Sequence, residues 1–269
     1  MEPCRTYENH WLACMAAVGR GRVTRLEGGI VLTTSRMPGA FLNFGLPRDC
    51  HADRLPFFLE ASGALLAANG HPPALFLSPD AGDVPALSAV LLDRGWHPAV
   101  HQVVLERDLP VTGVDPAPGV AVDPVGPAEL GHWIRTLAAA YGAAPDRALR
   151  ISRAWASLWA NPGEGCRSLL CLARVDGQPV GTGLVWMQGA LASLYCGAVL
   201  PEYQRRGVER TTILYRLRWA AEQGCHRAIL QTEVGSPVER LCVDKLGFRP
   251  VYHRTLWVPA GSWRIRACG

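Results

Sequence analysis

Between residues 206 and 223 the apolar side chains Ile213, Leu214, Leu217, Ala220 and Ala221 fall at i, i+1, i+4, i+7 and i+8, one stripe along an otherwise polar helix. Gly224 follows and predicts the stop, because glycine accepts the left-handed conformation that closes helices. Before this helix, residues 168–174, 179–187 and 191–199 are short apolar runs of strand character, and 227–232 is another after it. Asp176-Gly177 between the first two runs is a hairpin-turn pair. Residues 129–141 and 147–159 read as helices further upstream.

The pattern at the chain's end occurs twice. Residues 85–105 (PALSAVLLDRGWHPAVHQVVL) and 237–257 (PVERLCVDKLGFRPVYHRTLW) align without a gap at a constant offset. Pro85 matches Pro237, Gly95 matches Gly247, Trp96 matches Phe248, Pro98 matches Pro250 and His101 matches His253. Each segment predicts a short helix, a glycine cap, an aromatic plug for the core and a strand. An internal duplication follows, with two copies of one α/β fold in tandem. The Pro/Gly-rich stretch PVTGVDPAPGVAVDPVG is the natural divider. It sets the expected organisation at 1–110, a linker at 111–126 and a second domain at 127–269.

Composition narrows the function classes. Apolar residues make up 49% and charged residues 19%, which excludes a disordered chain or a coiled coil. Of 27 basic residues only Lys245 is a lysine, yet the formal net charge is +4 and the arginines are dispersed. That field is too weak and diffuse to point to nucleic acid. No basic-then-apolar leader opens the sequence, and no apolar run reaches the length of a membrane span. The nine cysteines include no CxxC pair, and no histidine cluster completes a metal pattern. Free thiols, serving as small apolar core residues in a reducing cytoplasm, are expected.

The chemistry concentrates in the turn before the striped helix, Val199-Leu-Pro-Glu-Tyr-Gln204-Arg205-Arg206-Gly207-Val208-Glu209-Arg210. A glycine at a helix start lets backbone N–H groups approach an anion, and the helix terminus contributes roughly half a positive charge. Arg205 and Arg206 add fork-shaped donors. Such a group of donors suits a pyrophosphate.

Strand, turn, amphipathic helix, strand and a closing Lys245-Leu-Gly-Phe248 together resemble the GNAT acyltransferase superfamily, over roughly residues 118–258. The first half resembles a degenerate copy: it has the closing Gly95-Trp96 segment but no recognisable phosphate turn. The resemblance implies two GNAT-like mixed-sheet domains and transfer of an acetyl or other acyl group from a CoA thioester to a small-molecule amine. It implies that Val199 bonds the pantetheine arm, that Gln204 opens the phosphate motif, and that the amides of Arg205, Arg206, Gly207, Val208, Glu209 and Arg210 hold the pyrophosphate. The strand before the turn would splay from its neighbour to admit the thioester. Acetyl-CoA or another acyl-CoA is the implied cofactor, an acyl carrier protein an alternative donor, and no metal is implied.

Three positions depart from the family pattern. Glu209 replaces a second Gly or Ala, Ser236 stands where Asn often follows the strand, and Val243 stands where many members carry a proton-donating Tyr. Glu209 opens two alternatives: its carboxylate fills the anion site, or it swings to solvent and leaves the amides free. A GNAT fold that has lost CoA use, whether for other metabolite chemistry or as a non-catalytic binder, is the competing function. Glu233 at the end of a strand and Tyr195 before the turn are the candidates for proton transfer. The His101 and His253 pair is expected to pack in a shared core. Phe41, Asn43 and Phe44 either line an acceptor pocket or form a buried strand and turn.

Overall fold

A computed structural model describes residues 2–34, 37, 39–142 and 145–261. In chain order its elements are α1 (Glu2–Gly19), β1 (Arg22–Leu26), β2 (Gly29–Thr33), β3 (Phe44–Pro47), α2 (Leu55–Ala68), β4 (Leu75–Leu77), α3 (Val84–Asp93) and β5 (Trp96–Asp108). There follow β6 (Ala121–Pro124), α4 (Leu130–Ala140), α5 (Pro145–Ala156), β7 (Cys166–Val175), β8 (Gln178–Gln188), β9 (Leu191–Val199), α6 (Val208–Glu222), β10 (Arg227–Glu233), α7 (Pro237–Leu246) and β11 (Arg249–Pro259). Three strands, a helix, a strand, a helix and a strand therefore occur twice in the same order. The fold is mixed α/β, as the sequence patterns imply.

The chain forms two compact units that interleave in sequence. Unit 1 takes the chain up to Val104, then Thr232–Glu239 and the stretch from Pro250; unit 2 takes Leu105–Gln231 and Arg240–Arg249. The final strand of the chain thus completes the first unit. Within the stretch 111–126, β6 pairs antiparallel with β7, from Ala121↔Arg174 to Pro124↔Cys171.

Unit 1 orders its strands β1-β2-β3-β4-β11-β5. β3 and β4 are parallel, and β11 runs antiparallel to β4 with Thr255 opposite Leu77. β3 is buried along its whole length. The Trp11 ring of α1 stacks on Phe44 at 4.6 Å. Phe58 of α2 presses so closely on the sheet that a Cβ on Gly29 would meet its ring at 2.6 Å. A buried polar cluster sits among these rings. Arg254 pairs with Glu8 at 3.1 Å, donates to Gln102 at 2.9 Å and lies 3.6 Å over Trp11. Tyr252 donates its hydroxyl to Glu8 at 2.9 Å. His101 and His253 do not pack in a core: both are exposed, and His101 reaches Thr255 at 3.1 Å. Their matched positions fall on the solvent side of β5 and β11, because strand residues alternate between faces.

Unit 2 runs β10-β9-β8-β7-β6. β7, β8 and β9 form an antiparallel meander, and β9 and β10 are parallel. The hairpin at Asp176-Gly177 uses positive φ at both residues, 49° and 77°, as its two-residue turn demands. The α6 stripe faces inward: Ile213, Leu214, Leu217 and Ala220 are buried, and Gly224 follows the helix end at φ 87°. Trp133 of α4 is fully buried and donates to the Gly183 carbonyl at 3.2 Å. Among the eight described cysteines, all free, seven are buried and Cys166 is partly exposed. No described helix is long and apolar enough to cross a membrane.

Candidate active site

β9 is the element that arranges the site. Its parallel pairing with β10 covers only Leu191–Leu194 against Arg227–Leu230. Tyr195–Val199 then run on without paired residues on β10, so the expected splay is present. On its other edge β9 carries a bulge. Thr182 pairs with Ala198 and Leu184 with Tyr195, leaving Cys196 and Gly197 opposite the single residue Gly183. Cys196 takes φ 52°, rare for a side chain with a Cβ. Its carbonyl accepts from Thr182 Oγ1 at 2.9 Å. Burial pushes the Cys196 thiol far up from its ordinary value, which disfavours the thiolate form.

The turn after Val199 sets the start of α6. Pro201–Tyr203 form one tight helical turn, Gln204 is extended, and Arg205 and Gly207 are left-handed at φ 61° and 80°. Glycine is required at 207 on a second ground: a Cβ there would lie 2.5 Å from Ala117 Cβ. The Ala117 N–H donates to Thr211 Oγ1 at 2.8 Å, fixing residues just upstream of β6 against this helix. Gly207 is the N-cap of α6 and no side chain caps the helix. Its carbonyl takes the Thr211 N–H, so the amides of residues 207–210 have no carbonyl within the helix to bind. Gln204, Arg205 and Arg206 are exposed, with Arg206 5.2 Å over the Tyr203 ring. Among the described residues, none of Arg205, Arg206 and Arg210 has a carboxylate within 4.0 Å. Arg210 Nε is buried and without a hydrogen bond. Free amides, a helix terminus and unmatched guanidinium groups fit a pyrophosphate.

Glu209 takes neither course expected for it. Its carboxylate turns under the helix toward the sheet, where Arg216 Nη2 lies 3.7 Å away and a Cβ on Gly197 would come within 2.6 Å. Burial raises the Glu209 pKa and the Arg216 charge opposes that rise. Arg216 was not singled out from sequence. A usable signal existed: Glu209, Ile213, Arg216 and Ala220 share one helical face, which leaves a charge inside the apolar stripe.

The other candidates separate. Tyr195 stands where β9 leaves β10, its ring 5.2 Å from that of Trp155 and its carbonyl accepting from Arg216 at 3.0 Å. Glu233 ends β10, exposed and assigned to unit 1. Ser236 bonds Thr232 and accepts the Glu239 N–H at 3.1 Å, capping α7. Val243 is half-buried on α7, and the adjacent Cys242 is fully buried with its thiol pushed up to about 12. In unit 1 the buried strand-and-turn alternative holds for two of its three residues: Phe44 is buried against Trp11 and Asn43 ties Thr34 and Met37 together at 2.7 Å and 2.6 Å, whereas Phe41 is exposed.

Splayed parallel strands and an uncapped, arginine-rich helix start meet in a mixed α/β fold. Residues 133–248 match the acetyltransferase (GNAT) family model. The matched segment is a GNAT-family domain. A GCN5-related N-acetyltransferase from Kribbella flavida shares the fold at a TM-score of 0.69 and 19% identity, over 94% of this chain and 95% of that one. A tandem GNAT protein from the clavulanic acid biosynthesis pathway superposes at 0.59 with 15% identity, over 85% and 77%. A GCN5-related N-acetyltransferase from Sphaerobacter thermophilus does so at 0.63 with 11% identity, over 86% and 79%. No curated protein matches the sequence.

Proposed function

We propose that the chain is an N-acyltransferase that moves an acetyl or similar acyl group from a CoA thioester to the amine of a small molecule. The observation that carries this reading is the unmatched positive charge at the start of α6, next to the splay after Leu194. The amides of residues 207–210 with Arg205, Arg206 and Arg210 bind the pyrophosphate. Val199, paired with Gly181 on one edge and open on the other, offers its backbone to the pantetheine arm. When bound, CoA supplies an activated acyl carbonyl. Transfer to an amine then needs one proton removed from the amine and one given to the leaving sulfur. Val243 has no proton to give, so Tyr195, at the point of splay, is assigned proton transfer, and Glu233 is the carboxylate assigned as base.

Calorimetry with acetyl-CoA tests the cofactor, with micromolar binding expected. Release of free CoA thiol in the presence of a panel of primary amines tests the reaction. Absence of acetyl-CoA binding overturns the reading. A carrier-bound acyl donor is the alternative source. Faster transfer from acyl-phosphopantetheine on a carrier protein than from acyl-CoA would favour it, since that donor presents one phosphate where CoA presents a pyrophosphate.

A further inference from the structure

We propose that buried Arg216 and partly buried Glu209 are a positioning pair that locks the β9 bulge to the start of α6. The cofactor turn and the point where β9 leaves β10 are then held as one piece. The proposal rests on reading residues 199–210 as the acyl-CoA site.

Arg216 is almost wholly buried, its side chain 1% exposed. Its Nε donates to the Thr212 carbonyl of its own helix at 3.1 Å. Nη1 donates to Leu184 O on β8 at 3.3 Å and to Tyr195 O on β9 at 3.0 Å. Those two residues are the last regular pair before the bulge. One guanidinium therefore spans the two strands where their register breaks. Nη2 makes no hydrogen bond and faces the Glu209 carboxylate at 3.7 Å. Glu209 is the second residue of α6 and belongs to the turn itself.

The sheet is shaped to receive this pair. A Cβ on Gly183 would meet Arg216 Nε at 2.7 Å, and a Cβ on Gly197 would meet Glu209 Oε1 at 2.6 Å. Both residues belong to the bulge, one on each strand. Neither has φ in the left-handed region, so room for the pair, rather than backbone freedom, accounts for glycine at both. A buried arginine without a carboxylate would carry an uncompensated charge. Glu209 is thus the counter-ion that lets Arg216 stay on the bulge carbonyls. The family's small residue at this position would remove it.

Backbone hydrogen exchange across residues 195–199 in the free protein, with acetyl-CoA calorimetry and thermal midpoints alongside, tests the pair. Glu209→Gly is expected to speed that exchange about tenfold or more and to weaken acetyl-CoA binding about tenfold. Glu209→Gln keeps an oxygen beside Nη2 without the charge and should fall between wild type and Glu209→Gly. The double variant Glu209→Ala with Arg216→Met should recover the thermal midpoint while the bulge still exchanges fast; a merely structural pair would restore both. Tighter acetyl-CoA binding by Glu209→Gly, unchanged exchange in the single variants, or slow exchange in the double variant would each overturn the proposal. If Glu209→Gly does not fold, Glu209→Gln against wild type decides by the same exchange criterion. If wild type binds no acetyl-CoA, the functional reading fails, while exchange in the free protein still decides the pair.

Discussion

Glu8→Ala tests the buried heart of unit 1. Glu8 and Arg254 are 0% and 1% exposed, so removing the carboxylate leaves the guanidinium charge buried without its counter-ion. Removing one member of a buried ion pair costs about 3–5 kcal/mol, because the other charge stays buried. Loss of the Tyr252 hydroxyl bond adds about 1 kcal/mol. The rings of Trp11 and Phe76, 3.6 Å and 4.9 Å from the guanidinium, keep their attraction for the cation, as does the Gln102 bond, so the total stays near the middle of that range. For a protein of this size the thermal midpoint should fall by on the order of 10 °C. Calorimetric scans and urea titration check it, with the urea midpoint shifting at an unchanged slope. Glu8→Met with Arg254→Met removes both charges and should return to within about 2 kcal/mol of wild type. The reasoning fails if the double variant is no more stable than Glu8→Ala. It also fails if Glu8→Ala costs under about 1 kcal/mol, the scale of an exposed pair. Asp108→Ala, which breaks exposed pairs to Arg227 and Arg249, supplies that scale in the same protein.

Gly207→Ala forces a Cβ into the left-handed region at about 1–2 kcal/mol and against Ala117; α6 should lose its start, and calorimetry should show acetyl-CoA affinity lost with it. Thr211→Val strands the buried Ala117 N–H and should cost about 1–3 kcal/mol in a urea titration. His10 is buried and held down at about 4, against an ordinary value of 6.5. The unfolded chain therefore binds the extra proton between those values, and stability present above pH 6.5 is lost as pH falls toward 4, by about 3 kcal/mol. His10→Asn should flatten that part of the urea-midpoint profile against pH.

Periodicity carried most of the fold. The α6 stripe, the three strands before it and the duplicated closing segment depend on local spacing, which a single sequence displays. The destination of the last strand does not: β11 pairs with β4 of the first repeat, and no local pattern encodes which neighbour a final strand takes. The site was legible where backbone chemistry needs a specific residue, as at Gly207. It was obscured at Glu209, because a carboxylate's destination depends on a partner two turns on and on two glycines in other strands. The exposed histidine pair shows the converse: a matched position in a repeat marks a shared place in the fold without saying which face it occupies.

The same place in the first repeat shows why only one turn reads as a cofactor site. β3 leads through residues 48–54 into α2, as β9 leads into α6. There the Asp49 N–H bonds to Asp80 O and the Cys50 N–H to Ala81 O, at 3.1 Å and 2.7 Å, while Arg54 and Leu55 donate to His51 O. Arg48 and Arg5 are matched to Asp80 at 3.3 Å and 2.8 Å, and Arg5 also to Asp49. The adjoining cavity of about 700 Å³ is lined by Asp49, Asp53 and Asp83. A phosphate arriving there would find these amides bonded, arginines neutralised and carboxylates facing it. In unit 2 the amides of 207–210 lack helical acceptors, Arg205, Arg206 and Arg210 have no carboxylate within 4.0 Å among the described residues, and the turn's inward-facing acid is directed beneath the helix to Arg216. The two repeats share a backbone plan and differ in where carbonyls and carboxylates are sent. That difference, more than the glycine motif, favours the second repeat for the proposed anion binding.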